Sequence, residues 1–434
     1  MKRKVSFYTI VLIILSIIIT FTTLLFFGFI RDGAALIILL LIIPLFYYIG
    51  YKNSLLVSIS FLLVTVMLNF LVNVSGIMDS VYYEPNVMLE VFDFDFGLPI
   101  YLAKARLKMT QRMGDLKAVD LRADCDVEPR QIEFNTDSYG FRNDTDYHHQ
   151  KYFVVGDSFV VGLGNTQKDM LANQLREQYG LDVYSLSHPA DITGYSRYVR
   201  GFQRLYGGDF KVFLFIYEGN DFPEKYTVKK VQKPLTSLIG RRLREMVYRY
   251  RSQITRITRT DLYRLTYVKY LFFKKKDDPV NQTMVENVQG HKIAFAKEYS
   301  DVAYRAVYHG NQDIEEALVA IKDRIACIFL IPTKYRVYHH LDREDAPPLP
   351  NAQWQFLNDI AQRHRIKCLN LTDDFIMEAR RLLREENKLI WWADDSHWNK
   401  YGIALGARAV NEVLKAQNEL PGAADRGKEV NLPQ

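Results

Sequence analysis

Lys151-Tyr-Phe-Val-Val-Gly156-Asp157-Ser158-Phe159 is the stretch that decides how this chain folds. Tyr152 to Val155 is a short unbroken apolar run, the pattern of a strand covered on both faces, and it leads directly into Gly-Asp-Ser. A hydroxyl is thus presented where a strand gives way to the next segment, and in an open α/β sheet that edge is where ligands bind. Ser158 is therefore a candidate nucleophile. An ordinary strand-to-helix turn with a capping residue is the plainer reading of the same three residues.

The surroundings repeat the pattern. Strand-like runs recur at Val183 to Leu186, Val212 to Tyr217, Ala326 to Ile331 and Lys367 to Leu371. Amphipathic segments fall between or after them, at Asp169 to Tyr179, Ile314 to Lys322, Ala352 to Arg363, Asp374 to Glu386 and Lys400 to Lys415. Strands alternating with helices predict a doubly wound parallel sheet, and right-handed crossovers bring the carboxyl ends of its strands to one rim. Glu218-Gly-Asn220-Asp221 follows the third run and places Asn220 on the rim of Ser158. Asp394-Asp395-Ser396-His397-Trp398-Asn399 precedes the last helix and adds an acid and an imidazole three residues apart.

Gly156-Asp157-Ser158, Gly219-Asn220-Asp221 and Asp394-x-x-His397, in this order and each at an expected strand or helix end, resemble the SGNH/GDSL hydrolase superfamily over roughly Tyr152 to Val413. The resemblance implies a flavodoxin-like sheet with Ser158 as nucleophile, His397 as base and Asp394 as the carboxylate that orients it, leaving Asp395 as a cap or a solvated charge. Serine needs a neighbouring imidazole to take its proton, and a carboxylate to fix the tautomer of that imidazole. Asn220 and the backbone amide of Ser158 would hold the oxyanion. For a further donor, register points to Ala190 and residue type to Gly194. Ile331-Pro-Thr-Lys334-Tyr-Arg-Val-Tyr338 and the ending at Trp398 resemble the SGNH-like proteins of alginate-type exopolysaccharide O-acetylation, which makes Lys334, Tyr338 and Trp398 candidate cleft residues, together with Asp157 and His188. Packing is the competing role for His188, and for the aromatics beside Lys334.

The pairs His148-His149 and His339-His340 do not face one way on a regular element, so no metal site and no cofactor are expected. Three cysteines, Cys125, Cys327 and Cys368, have no metal-ligand spacing, and their odd count argues against a disulfide scaffold. A net charge of +6 without a zinc knuckle or phosphate loop gives no reason to expect nucleic acid.

Hydrophobic residues make up 48% of the chain, but nearly every long apolar run precedes residue 75. Phe7 to Ile30, Ala34 to Gly50 and Ser54 to Val74 read as three transmembrane helices, since about 20 apolar residues cross a bilayer. Lys2, Arg3, Lys4 and Lys52 place the amino terminus in the cytoplasm, so the domain after residue 76 would lie in the periplasm or outside the cell, on the inner membrane. The expected division is an anchor at 1–76, a stalk and lead-in at 77–150, catalytic parts at 151–222 and 311–418, a basic helical insertion at 223–310 and a disordered tail at 419–434. Within the lead-in, Lys104 to Arg112 looks helical, and the turn-rich Asn135 to Asn143 would fold against the sheet edge or serve as a connecting loop. Lys225 to Lys276 carries 16 Lys or Arg against 2 acidic residues, which suits an anionic lipid or polysaccharide surface, or a solvated cap over the cleft.

The expected protein is a membrane-anchored serine esterase or O-acyltransferase acting on an acylated, O-acetylated envelope or extracellular polysaccharide, with a membrane acyl-donor protein as partner. The alternatives are a non-catalytic glycan-binding scaffold and a lipase or lysophospholipase.

Overall fold

The computed structural model describes residues 16, 17, 20, 51–74, 89–93, 96–120, 122–222, 283–310, 312–339, 341 and 347–417. The chain forms two compact units, Met1–Val81 with Val231–Asp277, and Tyr82–Lys230 with Asp278–Gln434.

The expectation of three membrane spans is corrected. Among the described residues no helix is long and apolar enough to cross a membrane. The first two runs lie outside the described residues apart from 16, 17 and 20. The third falls on α1 (Tyr51–Val74), where Ser54, Ser58, Ser60, Thr65, Asn69 and Asn73 interrupt the apolar run. Ser58 is buried there, and its hydroxyl lies 2.8 Å from Thr20 Oγ1 and 2.8 Å from Ser54 O. The extracytoplasmic orientation rested on those spans and falls with them.

The second unit begins with β1 (Glu90–Asp93), β2 (Leu98–Tyr101), β3 (Arg106–Gln111), α2 (Asp115–Val119) and β4 (Arg130–Asn135). β1 pairs with β2, and β3 with β4, both antiparallel. The helical reading of Lys104 to Arg112 is therefore wrong. Its apolar residues Leu107 and Met109 stand two apart, and burial alternates along β3, a period of two rather than 3.6.

Next come β5 (Tyr152–Val155), α3 (Ser158–Val161), α4 (Leu171–Tyr179), β6 (Val183–Ser185), α5 (Ile192–Tyr206) and β7 (Lys211–Tyr217). After the insertion follow β8 (Thr283–Val288), β9 (His291–Ala296), α6 (Lys297–Ala303), α7 (Gln312–Val319), β10 (Ile325–Ile331), α8 (Lys334–His339), α9 (Ala352–His364), β11 (Cys368–Asn370), α10 (Thr372–Glu386) and α11 (Lys400–Ala416). The described part of the insertion is thus not simply helical, because β8 and β9 form an antiparallel hairpin. The basic stretch to residue 282 and the tail from 418 lie outside the described residues.

Five strands form one parallel sheet in the order β11-β10-β7-β5-β6. Counted along the chain this is 2-1-3-4-5, the flavodoxin-like doubly wound order, whose direction reverses between β5 and β7. Alternation along the strands separates two cores. Val154, Phe213, Phe215 and Phe329 pack with α4, α10 and α11 on one face. Phe153, Val155, Leu214 and Ile328 pack with α5, α7 and α9 on the other. All eight of these side chains are fully buried, which is why the strands read as continuous apolar runs. Cys327 and Cys368 lie in β10 and β11, and with Cys125 they are free thiols.

Asn135 to Asn143 does fold against the sheet edge. The Asn143 side chain donates to Ser185 O (2.9 Å) and accepts from Ser185 N (3.0 Å), so it completes the outer strand β6.

Candidate active site

The reversal point between β5 and β7 is where a doubly wound sheet opens a crevice, and Ser158 and Asn220 follow these two strands. Gly156 permits the sharp exit from β5. A Cβ there would sit 2.4 Å from Val160 Cγ2 and 3.0 Å from Phe215 O. Asp157 caps α3 by accepting from Phe159 N (2.9 Å), which leaves Ser158 as the first helical residue. Two buried side chains then fix this short helix. Arg142 donates to Val161 O (2.9 Å), Gly162 O (2.7 Å) and Asn165 O (2.9 Å). Burial pushes its guanidinium down to about 9. Trp398 donates its indole NH to Phe159 O (2.9 Å), tying the Ser158 turn to the segment that carries His397.

The carboxylate that meets the His397 ring is Asp395, not the Asp394 that the resemblance implied. Asp395 Oδ1 lies 2.7 Å from His397 Nδ1 and accepts the His397 amide at 3.1 Å, a tight local turn that closes at a spacing of two residues. Asp394 is turned away. Its Oδ2 accepts from Gly114 N (2.7 Å), and its Oδ1 pairs with Arg130 Nη1 at 3.0 Å. Arg130 also pairs with Asp395 through Nη2, and stacks over Trp392 at 4.4 Å. Burial would raise the Asp395 carboxyl, but the Arg130 charge and the His397 hydrogen bond hold it well below the ordinary range. Asp395 is thus an ionised acceptor on Nδ1, and Nε2 is the ring nitrogen suited to act as base.

Ser158, Asn220 and His397 line one cavity of about 210 Å³, together with Asp115, Pro189, Tyr299 and Ser396. Tyr299 thus faces the same cavity as the Asn220 side chain. Of the two further oxyanion candidates, Gly194 is ruled out. Its amide donates to Asp191 Oδ1 (2.9 Å) in the cap of α5. Ala190 remains, next to cavity-lining Pro189, and its carbonyl accepts from Tyr195 Oη (3.0 Å).

No family model matches the chain, and no curated protein matches it. The X-ray crystal structure of protein YXIM from Bacillus subtilis is similar to it at 10% identity and a TM-score of 0.31, over 73% of this chain and 75% of that one. A likeness this slight carries no argument, so the fold assignment rests on the strand order above.

The remaining candidates serve the frame of the site rather than its surface. Lys334 does not border this cavity. Its buried amine donates into a ring of carbonyls, Ala294 O (2.7 Å), Trp392 O (2.7 Å), Ala393 O (3.0 Å) and Asp395 O (3.0 Å), and burial pushes it down to about 8. Tyr338 is also buried, accepting from Ile390 N at 2.9 Å. Trp398 is fully buried. Asp157 is buried beside Ser158, and burial raises its carboxyl to about 6. His188 packs against Tyr101 with ring centroids 4.6 Å apart and tilted by 34°, and burial pushes its imidazole down to about 4. The plainer packing role therefore holds for His188. His148 is exposed and pairs with Asp182 at 2.8 Å, while His340 lies outside the described residues.

Sequence reading missed three residues from outside the main motifs. Arg130 on β4 clamps both acids, Asp115 on α2 accepts from Ser396 N (2.7 Å), and Tyr299 on α6 lines the cavity with Asn220. Two residues of the lead-in, Asp115 and Arg130, thus reach the loop that carries His397. Asp115, Asp395 and His397 bring ligand-type atoms within 4.8 Å of one another. Both Asp395 oxygens are already committed, one to Arg130 and one to His397, so the cluster suits proton handling better than a cation.

Proposed function

We propose that the chain is a serine-dependent esterase or O-acyltransferase that works through an acyl-serine on an acylated glycan. The observation that carries this reading is the shared cavity of Ser158, Asn220 and His397, with Asp395 on the far ring nitrogen of the histidine. In the first half-reaction Ser158 Oγ attacks the ester carbonyl carbon and passes its proton to His397 Nε2. The Ser158 amide and the Asn220 side chain hold the oxyanion, each donor of this kind being worth about 2.7–4 kcal/mol in the transition state. As the carbonyl re-forms, the leaving alkoxide takes the proton from His397 and the acyl group stays on Ser158. In the second half-reaction water or a sugar hydroxyl attacks the acyl-serine by the same route.

Acetate release from a generic acetyl ester, with and without added oligosaccharide, tests this. Ser158-dependent release that is diverted onto sugar identifies a transferase, and release indifferent to sugar an esterase. Activity that survives Ser158→Ala would overturn the mechanism.

A further inference from the structure

Beside the nucleophile's cavity lies a larger one of about 370 Å³, and the two share Asp115, Tyr299 and Ser396 as lining. Taken together they fall within the roughly 300–1,000 Å³ typical of small-molecule sites. The outer wall of the larger cavity comes from α6 and the end of β9, within the segment that interrupts the α/β sheet. Its charged side chains are Asp115, Lys297, Glu298 and Asp301, three carboxylates against one amine. Glu298 and Asp301 are exposed, and neither makes a side-chain ion pair among the described residues. Tyr299 stands at the junction, with Asn220 on one side and the carboxylates on the other.

We propose that this second cavity is a sugar subsite that takes a ring without an acidic group, and favours one bearing a free amine over a uronate. The proposal rests on the acyl-glycan reading and narrows its substrate class. An aromatic ring beside several carboxylates suits a sugar: the ring covers the apolar face, and carboxylate oxygens accept from hydroxyl or ammonium groups. A uronate would bring a fourth negative charge into a pocket that holds one amine. Ser158 would then act on an ester carried by the bound ring or by the ring next to it.

Binding tests this separately from catalysis. The full-length Ser158→Ala protein is titrated by calorimetry with three disaccharides, built from glucosamine, glucose and mannuronate, each short enough to stay within the cavity. The expected order of affinity is glucosamine, then glucose, then mannuronate. The double variant Glu298→Gln/Asp301→Asn should narrow the gap between the first and last by roughly threefold to tenfold, the scale of two exposed charge contacts. Both positions are exposed, so an unchanged thermal midpoint shows that the fold is kept. Mannuronate binding as tightly as glucosamine, or a preference untouched by the double variant, would overturn the subsite. Acetate release by the wild type, abolished in Ser158→Ala, reports on the serine alone, so failure of the acyl-serine reading would be recognised independently.

Discussion

Asp395→Asn and Asp394→Asn differ by one position and should differ greatly in effect. Asp395 holds His397 Nδ1 at 2.7 Å and contacts no other imidazole. An amide in its place can offer its NH₂ to Nδ1 and so favour the wrong tautomer, an exchange that costs about 10⁴-fold in kcat for a serine triad. Asp394 makes no contact with the imidazole. Its amide analogue would still accept from Gly114 N and would lose the 3.0 Å pair with Arg130, which keeps Asp395 as a partner. That change should cost about 1–3 kcal/mol of stability, the scale of one lost charge-assisted hydrogen bond, and no more than about tenfold in kcat. The assay is kcat for release of p-nitrophenol from its acetate, with the urea midpoint measured in parallel. Equal loss of kcat in the two variants at equal stability, or an Asp395→Asn protein of near wild-type rate, would refute the reasoning. The pH sense is also fixed. The Asp395 carboxyl is held below its unfolded value, so its stabilisation is present at neutral pH and is lost as pH falls below about 4.

Further outcomes follow from the frame of the site. Arg130→Lys should cost about 3–5 kcal/mol and most of the activity, because a point charge cannot bridge Asp394 and Asp395 while stacked on Trp392; urea unfolding and turnover check it. Lys334→Met strips the donor from four carbonyls, three of them in the Trp392–Asp395 loop, and should lower both the thermal midpoint and kcat while leaving fluorescence of the folded core native-like. Asp157→Asn keeps the α3 cap and removes a carboxyl that burial raises to about 6. A raised acid pKa favours the fold below the unfolded value, and that gain is lost as pH rises through 6. The wild type should therefore lose up to roughly 3 kcal/mol between pH 4 and pH 7 that the variant does not lose, as read by urea midpoints across that range.

The sheet was legible because its strands are buried on both faces. Tyr152 to Val155 and the four runs after it announce themselves as apolar stretches between turns, and the structure moves their ends by a residue at most. The convergence of Ser158, Asn220 and His397 on one cavity was legible for a related reason, since each stands three residues from a strand end or a helix start. The partner of His397 was not. Asp394 and Asp395 are chemically alike, and the choice between them is made by Arg130 and Gly114, more than 260 positions away. A Cβ on Gly114 would lie 2.3 Å from Asp394 O, so this glycine lets the lead-in approach the loop, a role that spacing cannot reveal. Lys334 misled for the opposite reason. A lysine after a strand end looks like a cleft residue, but its amine satisfies inward-facing carbonyls. The apolar start of the chain invited a membrane reading that counts of apolar residues encourage and the described helices do not support.

The most direct test of the central claim is intact-mass and peptide mapping after exposure of the full-length protein to a fluorophosphonate. A single adduct is expected on the peptide carrying Ser158, absent in Ser158→Ala and strongly slowed in Asp395→Asn. No adduct on the wild type, or one that persists in Ser158→Ala, would contradict it.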